Sequence, residues 1–380
     1  MVTKRASEIT PFIVMDILEK AQEMERNGED IIHMEVGEPD FDTPECINEA
    51  CRRAIREGKT HYTHSLGLIE LREAICEHYF TSYGVDISPD RVIVTSGTSP
   101  AMFLLFSALI ERGDEVIISD PHYACYPNFI SFLEGIPACV NVFEEDGFQY
   151  TPEGIREKIT PRTRGIMINS PSNPTGNLLG TERMAQIASY GIPVISDEIY
   201  HGLVYGEEEH TILEFTDNAF VLNGFSKAYA MTGWRLGYLI APKEYIRPIQ
   251  KIQQNFFISS NSFAQWGGIA ALREAEDDMV RMRNIFDERR KFIIRRLREI
   301  GLGITVEPTG AFYILGNIKA FSTNSYETAF DILEKAHVGV TPGIDFGKNC
   351  EGYLRFSYAT SMEKIEEGIN RIERYLKEYA

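Results

Sequence analysis

Six short apolar runs, most of them separated by stretches long enough for a helix, dominate the region between residues 91 and 240. They are Arg91-Val-Ile-Val-Thr95, Glu115-Val-Ile-Ile118, Gly165-Ile-Met-Ile168, Ile192-Pro-Val-Ile195, Ala219-Phe-Val-Leu222 and Leu236-Gly-Tyr-Leu-Ile240. None alternates apolar with polar residues, so each reads as a strand buried on both faces. That is the pattern of a mostly parallel sheet covered by helices, an α/β architecture.

Helices are read on either side of these runs. Ile13, Ile17, Leu18 and Met24 recur on one face of a segment from Pro11 to Gly28. A second helix runs from Pro44 to Glu57, with Thr43 placed to cap it and Gly58 to end it. Leu68 to Tyr83, the apolar Ala101 to Ile110, and Thr181 to Tyr190 follow. After the last run, Asp278 to Ile300 reads as a long basic amphipathic helix. Ile304-Thr-Val306, Ala311-Phe-Tyr-Ile-Leu315, Val338-Gly-Val340 and Tyr353-Leu-Arg-Phe-Ser357 read as strands of a smaller α+β unit, closed by a helix from Met362 onward. Ile31 to Val36 is a further short strand, leading into the turn-rich Gly37-Glu-Pro-Asp-Phe41. The expected division is an N-terminal arm with part of a small domain over 1–45, a large domain over 46–277, and the rest of the small domain over 278–380.

In an open α/β sheet, ligands bind beyond the carboxyl ends of the strands. Thr95 is followed by Ser96, Gly97 and Thr98, which open a helix and offer hydroxyls and free N–H groups to a phosphate. The run ending at Ile118 is followed by Tyr123, a flat ring for stacking, and the run ending at Ile168 by Asn173, an amide donor. Asp197 and Tyr200 come after Val194-Ile-Ser196, and a carboxylate at the end of a buried strand calls for a cationic partner. Lys227 follows Phe220-Val-Leu222, set among small residues beside Ser226 and eight positions before Arg235. Partial desolvation lowers a lysine's pKa, and the neutral amine attacks carbonyls. An arginine fork with a hydroxyl suits a phosphate dianion. Together these residues point to a phosphorylated aldehyde held covalently, pyridoxal phosphate (PLP).

The net charge of −18 argues against nucleic acid or an anionic membrane as the main partner, so an anionic ligand must be captured in a local cationic pocket. The six cysteines have no C-x-x-C spacing and read as reduced thiols. No apolar leader is evident, and the expectation is a soluble cytoplasmic protein. His33, His78, His122, His201, His210 and His337 show no metal-binding spacing, and Gly301-Leu-Gly303 lacks the rest of a dinucleotide fingerprint.

The quoted residues resemble class I, aspartate aminotransferase-like enzymes of PLP fold type I. The resemblance runs through Gly37-Glu-Pro-Asp-Phe41, Tyr62-Thr63, Leu71-Arg72, Thr95-Ser-Gly-Thr98, Asn173-Pro-Thr-Gly176, Asp197-Glu-Ile-Tyr200, Ser226-Lys227, Gly233-Trp-Arg-Leu-Gly237 and Leu354-Arg-Phe-Ser357. It implies a seven-stranded mixed sheet plus a smaller α+β domain. It implies Lys227 as the Schiff-base lysine and proton carrier, Asp197 at the ring nitrogen, and Tyr200 with Asn173 at the phenolic oxygen. Tyr123 would stack on the ring, and Ser96, Gly97, Thr98, Ser226 and Arg235 would hold the phosphate. Tyr62 would reach the phosphate of a neighbouring subunit, which implies a homodimer with shared sites. Arg355 would grip the substrate α-carboxylate with help from the Gly37 backbone and from Asn173.

The activity implied is ping-pong transfer of an amino group from an L-amino acid, aspartate-type or broad, to a 2-oxo acid such as 2-oxoglutarate. A C–S lyase on the same fold, or a non-catalytic PLP-binding regulator, is the alternative. Two positions depart from the family pattern. Gly224 stands where several members carry a serine. Ser99-Pro100 stands where some aspartate-specific members place a lysine, with His61, His64 and Ser262 as candidate replacements.

Overall fold

The computed structural model describes residues 2–379. Seven strands form the main sheet, in the spatial order Val92–Thr95, Gly237–Ile240, Ala219–Gly224, Val194–Asp197, Thr163–Asn169, Glu115–Asp120, Ile136–Asn141. Gly237–Ile240 runs antiparallel to both its neighbours, and the other pairs are parallel. The sheet is therefore mixed but mostly parallel, as the apolar runs require. Every residue of Val92–Thr95, Val194–Asp197, Ala219–Gly224 and Gly237–Ile240 is buried. That is why these strands read as continuous apolar runs.

The seventh strand, Ile136–Asn141, was not among the expected runs. It lies at the sheet edge, pairs only with Glu115–Asp120, and buries only Val140. An edge strand tolerates the proline at 137 because one side of its backbone has no ladder to complete.

One face of the sheet is covered by Thr98–Leu109, whose Ala101, Met102, Leu104, Leu105, Phe106 and Leu109 are buried. It packs against the sheet and against Lys243–Phe256. Gly97, at φ 106°, lets the chain turn from the strand Val92–Thr95 into this helix, a conformation that costs a residue with a Cβ.

The smaller unit contains an antiparallel three-stranded sheet, Thr341–Pro342, Tyr353–Ser357 and Tyr313–Asn317, beside a parallel pair of Ile32–His33 with Val338–Gly339. The helix Ile13–Arg26 packs on Ser325–Ala336 and on these strands. Residues near the N-terminus are thus built into the C-terminal sheet region.

Two local expectations are corrected. Ile304-Thr-Val306 is not a strand; only Gly303 forms a bridge, to Asn317. Thr43 does not cap the helix Glu45–Arg56, whose N-cap is Pro44. Its hydroxyl donates to the Ala230 carbonyl at 2.6 Å and accepts the Trp234 indole N–H at 3.1 Å. The competing acceptor lies in the Lys227 loop, so the threonine fastens that loop instead. Among the described residues, no helix is long and apolar enough to cross a membrane.

Candidate active site

A cavity of about 270 Å³ opens at the carboxyl ends of the parallel strands. Lys227, Asp197, Tyr200, Asn173, Tyr123, Thr98, Ser226, Arg235, Gly37 and Arg355 all line it. Adjacent strands bring Asn169 and Asp197 into register, and the strand Ala219–Gly224 delivers the Lys227 loop alongside.

Lys227 Nζ donates to the Gly37 carbonyl at 2.6 Å. Burial pulls its amine down to about 8; Arg355 and Arg235 push the same way, while Glu38 opposes them. Asp197 is 3% exposed and forms no ion pair among the described residues. It accepts the Tyr126 hydroxyl at 2.7 Å and the Ile199 N–H at 3.3 Å. Burial raises its carboxyl to about 6, and those two hydrogen bonds only partly counter that. Such a carboxylate is poised for a cation brought in by a ligand.

Tyr200 is buried, with its hydroxyl 2.8 Å from that of Tyr313. Tyr123 is half-buried, edge-on to Tyr126 at 5.2 Å and to Phe12 at 5.9 Å.

Arg235 adopts φ 54° and donates to the Thr232 carbonyl at 2.9 Å. A Cβ at Gly97 would lie 2.7 Å from its Nη2, so the glycine is what admits the guanidinium there. Gly97 and the half-buried Ser96 are not among the residues that line the cavity, whereas Thr98 and Ser99 line it at the start of the helix. A guanidinium, two hydroxyls and a helix N-terminus form a site for an anion.

Arg355 is 2% exposed and has no carboxylate partner among the described residues. Nη1 donates to Asn173 Oδ1 at 2.9 Å; Nη2 donates to the Glu35 carbonyl and, at 3.1 Å, to Thr341 Oγ1. Its Nε is buried without a partner. The guanidinium stacks over the rings of Tyr313 at 4.4 Å and Phe346 at 4.9 Å. A buried guanidinium held only by neutral acceptors retains its affinity for a carboxylate.

Tyr62 is not brought to this cavity: it is 83% exposed, on a loop outside it. His61, His64 and Ser262 do not line it either; Ser262 donates to the Lys59 carbonyl and His64 Nδ1 accepts from the Leu66 N–H. At Gly224 a Cβ would come within 2.9 Å of the Gly237 Cα, so backbone crowding explains the glycine.

Sequence reasoning missed Tyr126, Tyr313 and the arm residues Phe12, Val14 and Met15, all of which line the cavity. Tyr126 lies 71 positions from the carboxylate it contacts, and no spacing rule links them. Among the described residues, no cluster of His, Cys, Asp or Glu could hold a metal ion.

The lowered amine, the unpaired carboxylate and the anion site together fit a phosphorylated aldehyde with a basic ring nitrogen. Residues 29–372 match the family model for aminotransferase class I and II. The chain is 42% identical to a (5-formylfuran-3-yl)methyl phosphate transaminase of Methanocaldococcus jannaschii, covering 99% of this chain and 100% of the relative. It is 43% identical to an aspartate aminotransferase of Pyrococcus horikoshii, over 96% of this chain and 94% of the relative. The solved structure of Thermus thermophilus aspartate aminotransferase with maleate superposes with a TM-score of 0.94 at 37% identity, covering 98% of this chain and 99% of that one. By sequence and fold alike, this chain belongs to the class I and II aminotransferases, a family that uses pyridoxal phosphate.

Proposed function

We propose that the protein transfers the amino group of an L-amino acid, aspartate-type or broad, to a 2-oxo acid, with 2-oxoglutarate as acceptor, in a ping-pong cycle. The observation that carries this reading is that Lys227, Asp197 and Arg355 face one cavity, none of them held in a direct salt bridge among the described residues. The cofactor, when bound, supplies an aldehyde that joins the amine and a ring that accepts the electrons released at Cα.

Arg355 takes the α-carboxylate in a two-point contact and, with Gly37 and Asn173, orients the Cα–H bond toward Lys227. The neutral amine of Lys227 would remove that proton and, as the protonated ammonium, would be the group placed to give it back. Asp197, a buried carboxylate, would hold a ring nitrogen in its protonated form. Tyr200 and the Asn173 amide, whose Oδ1 is already engaged by Arg355, would donate to the phenolic oxygen. Tyr123 would stack on the ring. Thr98, Ser226 and Arg235 would hold the phosphate, with the Ser96–Gly97 turn supporting them, and Tyr62 would serve the phosphate of a second copy in a homodimer. The division into 1–45, 46–277 and 278–380 belongs to this reading, with the site in the seam between the large and small units.

Relatives named aspartate aminotransferase support a dicarboxylic donor. The apolar lining of Phe12, Val14 and Met15 supports breadth. The same lining favours a second reading, a phosphorylated aromatic aldehyde as acceptor, in keeping with the name of the Methanocaldococcus relative. A panel of amino acids assayed with 2-oxoglutarate should yield glutamate. Absence of glutamate from every donor would count against the acceptor. Pyruvate and ammonia formed without any acceptor would point to elimination instead.

A further inference from the structure

The segment from Ile32 to Gly37 touches both basic side chains that the proposed reaction needs. Arg355 Nη2 donates to the carbonyl of Glu35, and Lys227 Nζ donates to the carbonyl of Gly37, two residues on. The segment is itself suspended between two strands. Ile32 N–H donates to the His337 carbonyl at 2.9 Å and Met34 N–H to the Gly339 carbonyl at 3.0 Å. On the other side, Ser357 N–H donates to the Met34 carbonyl at 2.7 Å.

One side-chain pair fixes this segment and has no part in the chemistry described so far. Glu35 is 0% exposed. Its Oε1 lies 2.6 Å from His33 Nδ1, and the other imidazole nitrogen lies 3.1 Å from Glu25 Oε1. Glu35 Oε2 has no partner. It is pressed so close to Gly339 that a Cβ there would sit 2.1 Å from it. A carboxylate enclosed to this degree depends on the one cation it touches. The Glu35 carbonyl also accepts the Thr341 hydroxyl at 3.2 Å, so any shift of Glu35 moves two contacts of the Arg355 head.

We propose that the His33–Glu35 pair is a positioning device that sets the Arg355 guanidinium for the substrate carboxylate and aligns it with Lys227. His33 is the positioning residue, and Arg355 is the group that touches substrate. The inference rests on the reading of Arg355 as the carboxylate clamp. Two charged groups face the imidazole: Glu35 from its own strand and Glu25 from the helix Ile13–Arg26. The hydrogen bond to Glu35, with help from Glu25, holds the imidazolium proton up to about 9, against the opposing effect of burial. The clamp is therefore set below that pH and slackens above it.

The test uses the holoenzyme and two non-reacting carboxylates, maleate and 3-phenylpropionate, as competitive inhibitors. The wild-type inhibition constants should rise as pH climbs from 8 to 10. His33→Gln keeps a hydrogen bond but cannot carry the charge. At pH 7.5 it should raise both inhibition constants and the donor KM roughly fivefold to tenfold, the size expected of a modest coupling, with kcat within about twofold. In that variant the rise between pH 8 and 10 should vanish.

Glu35→Gln removes the charge that His33 serves and should also flatten the pH dependence, which keeps the test open if the His33 variant folds poorly. Inhibition constants that match wild type at every pH in a folded variant would overturn the proposal. So would a fall in kcat with no change in inhibitor binding. If Arg355→Lys also leaves both inhibition constants unchanged, it is the clamp reading that fails; if only the His33 and Glu35 variants are silent, the clamp stands and the positioning device does not.

Discussion

Lys227 Nζ rests 2.6 Å from the carbonyl oxygen of Gly37, so the reactive amine is tied to the segment whose Glu35 carbonyl receives Arg355. With its pKa near 8, about a tenth of the amine is neutral at pH 7, against less than about a thousandth for an ordinary lysine. Uptake of pyridoxal phosphate by the apoprotein should accelerate with pH and level off above about 8. Stopped-flow absorbance checks the profile; a rate still climbing tenfold per pH unit up to pH 10 would contradict it.

Replacing the lysine removes the covalent attachment and the proton carrier together. Lys227→Ala should lose the visible absorbance of the bound cofactor and lower turnover by at least about 10³-fold. Its circular dichroism should remain that of the folded protein. Wild-type turnover in this variant would remove Lys227 from the mechanism.

Asp197 carries a pH signature in the apoprotein. Its folded pKa, about 6, lies above the unfolded value near 3.9. The folded state therefore prefers the neutral acid, and apoprotein stability should decline as pH rises from about 4 through 6. The penalty above pH 6 amounts to roughly 3 kcal/mol. Asp197→Asn should flatten that decline in urea titrations. It should also lower kcat by about 10³-fold, because the amide cannot keep the ring nitrogen charged.

Arg355→Lys keeps one charge and loses the two-point fork. The donor KM should rise about 100-fold while cofactor affinity stays within about twofold of wild type. Steady-state kinetics alongside equilibrium dialysis of the cofactor separates the two effects. Weakened cofactor with unchanged KM would reassign this arginine.

Gly97→Ala places a methyl 2.7 Å from Arg235 Nη2 at a position with φ 106°. Left-handed strain and displacement of the guanidinium act in the same direction, so cofactor affinity should fall at least about tenfold. The dissociation constant for pyridoxal phosphate, measured by fluorescence quenching, reads this directly.

Much of this architecture was legible because burial on both faces writes an uninterrupted apolar run, and such runs marked six of the seven main strands. Ile136–Asn141 escaped because an edge strand with only Val140 buried leaves no such trace. Ile304-Thr-Val306 misled for the opposite reason: three β-formers lie together where no neighbouring strand accepts them. Thr43 looked like a helix cap because local rules cannot see the Ala230 carbonyl, 187 positions away, that takes its hydroxyl. The strand-end rule gathered Lys227, Asp197, Asn173, Tyr123 and Tyr200 because each ends or follows a strand that burial had already revealed. Tyr126, Tyr313 and Phe12 arrive from a helix face, a second sheet and the N-terminal arm, so no single segment announces them.

The arm that carries Phe12 is anchored unequally at its two ends. The Asp345 carboxylate, 9% exposed, accepts the Ile13 and Val14 N–H groups at 3.0 and 3.2 Å. On the other side, Thr10 meets Asn128 through bonds open to water, the hydroxyl contact being 2.9 Å. Charge-assisted bonds in a dry setting outlast neutral ones that solvent can replace. Of the two anchors, the contact at Asn128 is therefore the first to open, and Phe12, which lines the cavity between them, stays tied to Asp345 through Ile13 and Val14.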